Sequence, residues 1–229
     1  MLKKYFFIII LTVFVLNGVF AESEKGFSWG TGLYFTNDFG GGIKWNVVED
    51  EIICKTPYYI GIGIFGFFDI KYAEASLGFF RSNGTFKIKS ESDLVQSDNL
   101  IISYMGIDIG ILGKYPIEAN NHLSLFPLLG IDYRMIFFAK GEARDSTDGI
   151  NPGDFSALWI KLGAGMNFVF NEKFYFKGNA LYGLRLPNGF ETRKTFKMYD
   201  STNNMIEYDI KDKIPGHGLT VKLAIGFLL

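Results

Sequence analysis

Leu219-Thr220-Val221-Lys222-Leu223-Ala224-Ile225-Gly226-Phe227 alternates without a break. Leu219, Val221, Leu223, Ile225 and Phe227, continued by Leu229, fall on one parity, with Thr220, Lys222, Ala224 and Gly226 on the other. A side-chain period of two belongs to a β-strand, because successive Cβ atoms leave opposite faces of the pleat. The character of the second row decides the fold. In a soluble sandwich the apolar row faces the core and the other row carries long, solvated charges. Here that row is small, with one Lys, as suits side chains crowded into a narrow enclosed space while the apolar row faces lipid.

The pattern recurs along the chain. Phe27, Trp29, Leu33 and Phe35 oppose Ser28, Gly30, Gly32 and Tyr34, and Tyr58, Ile60, Ile62 and Ile64 oppose Tyr59, Gly61, Gly63 and Phe65. Ala73, Ala75, Leu77 and Phe79 face away from Tyr72, Glu74, Ser76 and Gly78; Ile101, Met105, Ile107, Ile109 and Ile111 face away from Tyr104, Gly106, Asp108 and Gly110. Leu123, Leu125, Leu129, Ile131, Tyr133 and Met135 are backed by Ser124, Gly130, Asp132 and Arg134, with Pro127 marking a weak point or a bulge. Leu158, Ile160, Leu162, Ala164, Met166 and Phe168 oppose Lys161, Gly163, Gly165 and Asn167. Phe174, Phe176, Ala180, Tyr182 and Leu184 oppose Tyr175, Lys177, Asn179 and Arg185. Helical spacing is nowhere sustained. The aromatics near segment ends suit the girdles of a membrane barrel.

Connections alternate between short and long, as they do in barrels with turns on one side of a membrane and loops on the other. Short ones are expected at Asp69–Lys71, Lys114–Asn120 and Asn171–Lys173, and long polar ones at Asn46–Pro57, Ser82–Asp98, Lys140–Asp154 and Pro187–Gly216. Weak alternation in Thr195–Tyr199 and Met205–Ile210 predicts a ribbon projecting beyond the membrane. The strand count is eight if Phe27–Trp45 is one strand kinked at its glycines, nine if it breaks at Asn37–Gly42, and ten if the ribbon adds a pair. Parity favours eight, because Phe39, Ile43 and Trp45 keep the outward parity. The fold class expected is all-β, an eight-stranded antiparallel transmembrane β-barrel. A soluble secreted barrel or sandwich is the same alternation read inside out.

Residues 1–21 carry Lys3 and Lys4, an apolar run from Tyr5 to Leu16, and Val19 and Ala21 at the small-residue positions of a cleavage site. They read as a signal peptide cut after Ala21, leaving 22–229 as one barrel domain. The apolar run is shorter than the ~20 residues of a spanning helix, and no later stretch supplies one. Of the 229 residues, 17% are aromatic and 48% hydrophobic, which excludes disorder; a formal charge of -1 without runs of like charge excludes a nucleic-acid track. One cysteine, Cys54, rules out an intramolecular disulfide, and with only His122 and His217 no metal-ligand spacing is present. No cofactor is expected.

With its leader, eight alternating segments, glycine-rich inner row and apolar final strand carrying Phe227, the chain resembles the small outer-membrane barrels of the OmpA, OmpX and OmpW type. The resemblance spans the mature chain and is a pattern, with no signature motif. It implies residence in the outer membrane of a diderm bacterium, contact with outer-membrane lipids, and a monomer. It also implies engagement of the barrel-assembly machinery through the last strand. Many such chains end on an aromatic residue; here the last residue is Leu229 and the aromatic lies two earlier.

The candidate functional residues are the ionisable groups on the inner parity: Glu74, Asp108, Asp132, Arg134, Lys161, Lys177, Arg185 and Lys222. Buried charges must pair, so these are expected to form a salt-bridge network plugging the lumen; a water or ion path is the alternative. The long loops are candidate sites for host or environmental ligands. No catalytic residue is assigned. A lipid-modifying enzyme would need a histidine at the outer rim; His217, with Ser201, Asp209 and Asp212 nearby, is the candidate but reads as a solvated loop histidine. Passage of small solutes or hydrophobic molecules through a sideways opening is a further alternative, with Pro127 and Gly40–Gly42 as places where pairing is interrupted. Gly61, Gly63 and Gly66 match GxGxxG, but no helix follows, so the match is accidental. Asn83-Gly84-Thr85 reads as a plain turn.

Overall fold

The computed structural model describes residues 27–47, 50–90, 99–141, 156–186, 195–199 and 205–228, with side chains over 27–39, 58–84, 103–140, 156–186 and 216–228. The leader 1–21 with Ala21, residues 91–98, 142–155, 187–194 and 200–204, and Leu229 lie outside these limits. The strands are β1 Phe27–Val47, β2 Asp50–Ile70, β3 Ala73–Ser90, β4 Asn99–Lys114, β5 Ile117–Glu118, β6 Leu123–Gly141, β7 Ala157–Val169, β8 Phe174–Leu186, β9 Thr195–Tyr199 and β10 Met205–Leu228. Each long strand pairs antiparallel with its neighbour in sequence, and β10 returns to pair with β1 from Ser28↔Leu228 to Asn46↔Asp209. Eight strands (β1 to β4, β6 to β8, and β10) thus close an up-and-down barrel, the arrangement that removes sheet edges. β5 is a short rung against Leu125 and Ser124, and β9 lies against Met205–Asp209 as a ribbon on the extended part of β10.

The wall is apolar on its outer face. Ile64, Leu77, Leu129 and Leu162 are each about 60% exposed, while on β10 exposed Leu219, Val221, Leu223 and Ile225 alternate with buried Thr220, Lys222, Ala224 and Gly226. Such rows run right round the barrel, whereas a soluble monomer rarely exposes an apolar patch beyond ~300–600 Å². Hydrocarbon is the solvent that fits them. At the short-turn end the belt is bounded by Trp29, Phe174 and Phe227, with Trp29 stacked on Phe227 at 4.7 Å and Phe174 edge-on to it at 4.9 Å. Towards the other end Phe39, His217 and Tyr182 form a second stack. From Trp29 to Phe39 along a strand tilted ~45°, at ~3.3 Å per residue, is ~23 Å, close to the ~25 Å apolar band of outer-membrane barrels.

Several expectations need correction. The outer connections are shorter than the sequence suggests, because the strands run on: β2 starts at Asp50, β3 continues to Ser90, and β9 with the first part of β10 occupies much of 187–216. Polar composition there does not end the backbone pairing. Asp69 is not in a turn but is the penultimate residue of β2; the turn is at Lys71 and Tyr72. Asn83-Gly84-Thr85 is not a turn either, since all three lie in β3. The glycine stretch of β1 does not end the strand: pairing with β2 lapses between Asp38↔Tyr59 and Gly42↔Lys55 and then resumes. Pro127 causes no bulge against β7, whose register is unbroken; it falls where β6 has left β5 and not yet met β4.

Candidate functional site: the barrel interior

The inner row is less glycine-dominated than its sequence suggests, because it also carries rings. Tyr34, Phe67, Phe80, Phe126 and Tyr175 are buried inside and stand directly across the ladder from Gly63, Gly30, Gly106, Gly165 and Gly226. Each glycine supplies the floor on which a ring lies. A Cβ at Gly84 would fall 1.8 Å from the ring of Tyr59, its cross-strand partner, so only glycine leaves that ring its place. Gly63, from the accidental GxGxxG match, serves Tyr34 in the same way, with 2.4 Å to the ring.

Among these rings the charges lie in three tiers. Nearest the short turns, Asp69 bridges two lysines, with Oδ1 to Lys114 Nζ and Oδ2 to Lys177 Nζ at 2.5 Å. Lys177 also reaches Glu74 Oε2 at 2.5 Å, and Asn179 Nδ2 donates to the same oxygen at 3.4 Å. The Lys177 ammonium lies 4.6 Å from the centre of the Phe67 ring, and Ser28 Oγ and Tyr175 OH are 2.7 Å apart beside it. Leu112, Phe126, Leu128 and Leu181 form a small apolar cluster in the lumen. In the middle tier Lys161 pairs with Asp132 and donates to Thr220 Oγ1 at 3.4 Å, while Lys222 donates to Ser76 Oγ at 3.1 Å and lies over Phe65.

The upper tier centres on Arg134. Its Nη1 pairs with Asp38 Oδ2 and its Nε with Asp108 Oδ1 at 3.1 Å; Tyr34 OH donates to Asp108 Oδ2 at 2.9 Å. The guanidinium lies 5.0 Å from the Phe80 ring and 5.1 Å from Trp159, within cation–π range of both. Beyond it is a cavity of ≈ 20 Å³ lined among others by Asp38, Tyr59, Tyr104, Trp159 and Arg185, about the volume one water occupies.

Of the residues singled out from the sequence, Glu74, Asp108, Asp132, Arg134, Lys161, Lys177 and Lys222 are buried in the lumen, and Arg185 lines the cavity at its upper end. Sequence reasoning missed Asp38, Asp69 and Lys114, which complete the pairing. The signal was present: Asp38 continues the parity of Tyr34 and Thr36, Asp69 that of Phe65 and Phe67, and Lys114 that of Gly110 and Leu112. Their positions beside expected turns and kinks hid it.

His217 is not a loop residue. It lies on β10 facing outward, with Nδ1 2.6 Å from Tyr182 OH and its ring stacked between Tyr182 and Phe39. The side chains of Ser201, Asp209 and Asp212 lie outside the described residues. His122 is exposed at a short turn, Nδ1 3.1 Å from Val169 O. Among the described residues no cluster of His, Cys, Asp and Glu is arranged to hold a metal ion.

An eight-stranded closed meander with an apolar exterior and a charged, ring-filled interior has a known counterpart. The fold is that of the small bacterial outer-membrane barrels. The outer membrane protein OprG of Pseudomonas aeruginosa superimposes with a TM-score of 0.60 over 90% of this chain and 96% of its own, at 10% identity. The outer-membrane protease OmpT of Escherichia coli covers 91% of this chain at TM-score 0.39 and 9% identity, aligned over 98% of its own length. Ail, the attachment invasion locus protein of Yersinia pestis, covers 89% of this chain at TM-score 0.34 and 12% identity, aligned over 99% of its own. Neither a protein-family model nor a curated protein sequence matches the chain.

Proposed function

We propose that the chain is an integral, monomeric outer-membrane protein whose lumen is a structural plug and whose working surface is the strand ends and loops projecting outward. The observation that supports this reading is the close packing of side chains in the described interior. Three tiers of charge, each holding an ion pair and interleaved with aromatic rings and an apolar cluster, occupy the described interior, and a cavity of ≈ 20 Å³ lies at its upper end. Eight-stranded barrels are just wide enough for their side chains to fill, so no solute larger than water has a path.

Strand length supports the second half of the reading. Crossing a membrane takes ~9–11 residues of tilted strand. β1 and β2 have 21 residues each, β3 has 18 and β10 has 24, so about half of each stands clear of the bilayer on the side away from the short turns. Paired strands that project this far present backbone and side chains to the exterior, where host or environmental ligands would be met. On this reading the leader is removed after Ala21, and β10 is the strand presented to the assembly machinery.

Planar-bilayer recording of the pure protein tests the plug, together with proteolysis of intact cells mapped by peptide. The expected results are no stable single-channel steps and cleavage confined to 91–98, 142–155, 187–194 and 200–204. Large, stable openings would replace the plug with a channel, and cleavage at the short turns would reverse the orientation.

A further inference from the structure

On the outer wall, β3, β4 and β6 carry a recess of ≈ 280 Å³ lined by Arg81, Ser103, Met105, Phe138 and Lys140. Its origin is a register shift. Met105 pairs with Phe138 and Gly106 with Ile136, so Phe137 is an extra residue; Phe137 and Phe138 are both exposed, which breaks the strict alternation. Arg81, Met105 and Phe138 lie side by side across the three strands, and Asn83, Ser103 and Lys140 form the next row outward, with Ser103 Oγ donating to Asn83 Oδ1 at 2.7 Å.

The level of this recess is informative. Along β3 the outward row reads Leu77, Phe79, then Arg81; along β4 it reads Ile107, Met105, then Ser103; along β6 it ends with Phe138 and Lys140. All three strands change from apolar to polar at the recess, so it lies at the upper edge of the hydrocarbon belt. Below it the wall is greasy and aromatic, with the Phe79 and Phe137 rings 5.8 Å apart. Arg81 and Lys140 are exposed, and neither is in an ion pair among the described residues. They are two strands and one row apart, ~12 Å at ~4.8 Å per strand and ~3.3 Å per residue, a span that two long side chains bridge around one tetrahedral anion.

We propose that this recess seats a phosphate-bearing lipid of the outer leaflet. The phosphate lies between Arg81 and Lys140, and an acyl chain descends over Phe79, Ile107, Met135 and Phe137. Guanidinium recognises phosphate by charge-assisted paired hydrogen bonds, and a cation without a protein partner at a membrane interface gains most from such an anion. The proposal rests on the chain being a lipid-embedded barrel and adds a defined lipid site to it.

The test is native mass spectrometry of the full chain released from detergent after incubation with diphosphorylated lipid A, with phosphatidylcholine as the neutral lipid. Insertion and folding are checked first by the electrophoretic shift of unheated protein. Failure there would speak against the barrel itself and not against the site. The folded wild type is expected to retain one lipid A in preference to phosphatidylcholine. R81Q/K140Q removes both cations and should lower retention at least about tenfold, the scale of a single lost charge-assisted contact. K71Q/K173Q, at the opposite rim, should leave it unchanged. Equal retention by R81Q/K140Q, equal retention of phosphatidylcholine, or displacement of lipid A by millimolar inorganic phosphate would each overturn the proposal, the last by making the recess a free-anion site.

Discussion

Removing one member of the middle charged tier should cost far more than removing both. Lys161 and Asp132 are each 2% exposed and paired, and the other contact of the Lys161 ammonium is Thr220 Oγ1 at 3.4 Å. Asp132→Ala therefore leaves a buried cation with one long hydrogen bond. Deleting one partner of a buried pair typically costs ~3–5 kcal/mol, whereas replacing both by apolar residues of similar volume is often neutral. Asp132→Ala is thus expected to lower the folding equilibrium by about two to four orders of magnitude. Asp132→Leu combined with Lys161→Met should recover most of that loss. The assay is urea unfolding of protein refolded into lipid vesicles, followed by tryptophan fluorescence and by the mobility shift of unheated samples. If Asp132→Ala lies within about 1 kcal/mol of wild type, water reaches Lys161 and the sealed-lumen reasoning fails.

Three other outcomes follow from the same geometry. Gly84→Val should destabilise by ~1–3 kcal/mol through overpacking, and Tyr59→Ala in the same chain should relieve it, read by the same unfolding curves. Leu223→Arg, in the middle of the lipid-facing row of β10, should cost ~2–4 kcal/mol and depress insertion, while Phe27→Arg at the rim should cost ~0–1 kcal/mol. Arg134→Lys should lose the simultaneous contact with Asp38 and Asp108 and weaken the cation–π contacts with Phe80 and Trp159; a drop in stability together with a changed Trp159 emission is expected, and an unchanged emission would contradict the cation–π contact.

The barrel was legible because period two is a local property and the choice of inner face follows from composition. Glycine opposite isoleucine in Tyr58–Ile64, or lysine and alanine opposite leucine in Leu219–Ile225, fits a lumen and no solvated surface. What one strand cannot show is its partner. That Tyr59 lies on Gly84, or that Asp69 on β2 bridges Lys114 on β4 and Lys177 on β8, depends on register across the sheet. The inner row therefore reads from sequence as glycine with scattered ions, although it is a stack of rings seated on those glycines. The outer connections were misjudged for a related reason. Asp50–Lys55 has charges at both ends and adjacent Ile52 and Ile53 in place of alternation, so it reads as loop although backbone pairing continues through it. The Arg81 recess was invisible because it arises from one extra residue in β6, which only the pairing reveals.

A nitroxide scan of β10 in lipid vesicles, with Cys54 replaced, bears most directly on which face meets the bilayer. Labels at 219, 221, 223 and 225 should be accessible to dissolved oxygen and shielded from a water-soluble relaxation agent, and labels at 220, 222 and 224 should be shielded from both. Oxygen access at the even positions, or a scan without period two, would contradict the assignment of that row to lipid.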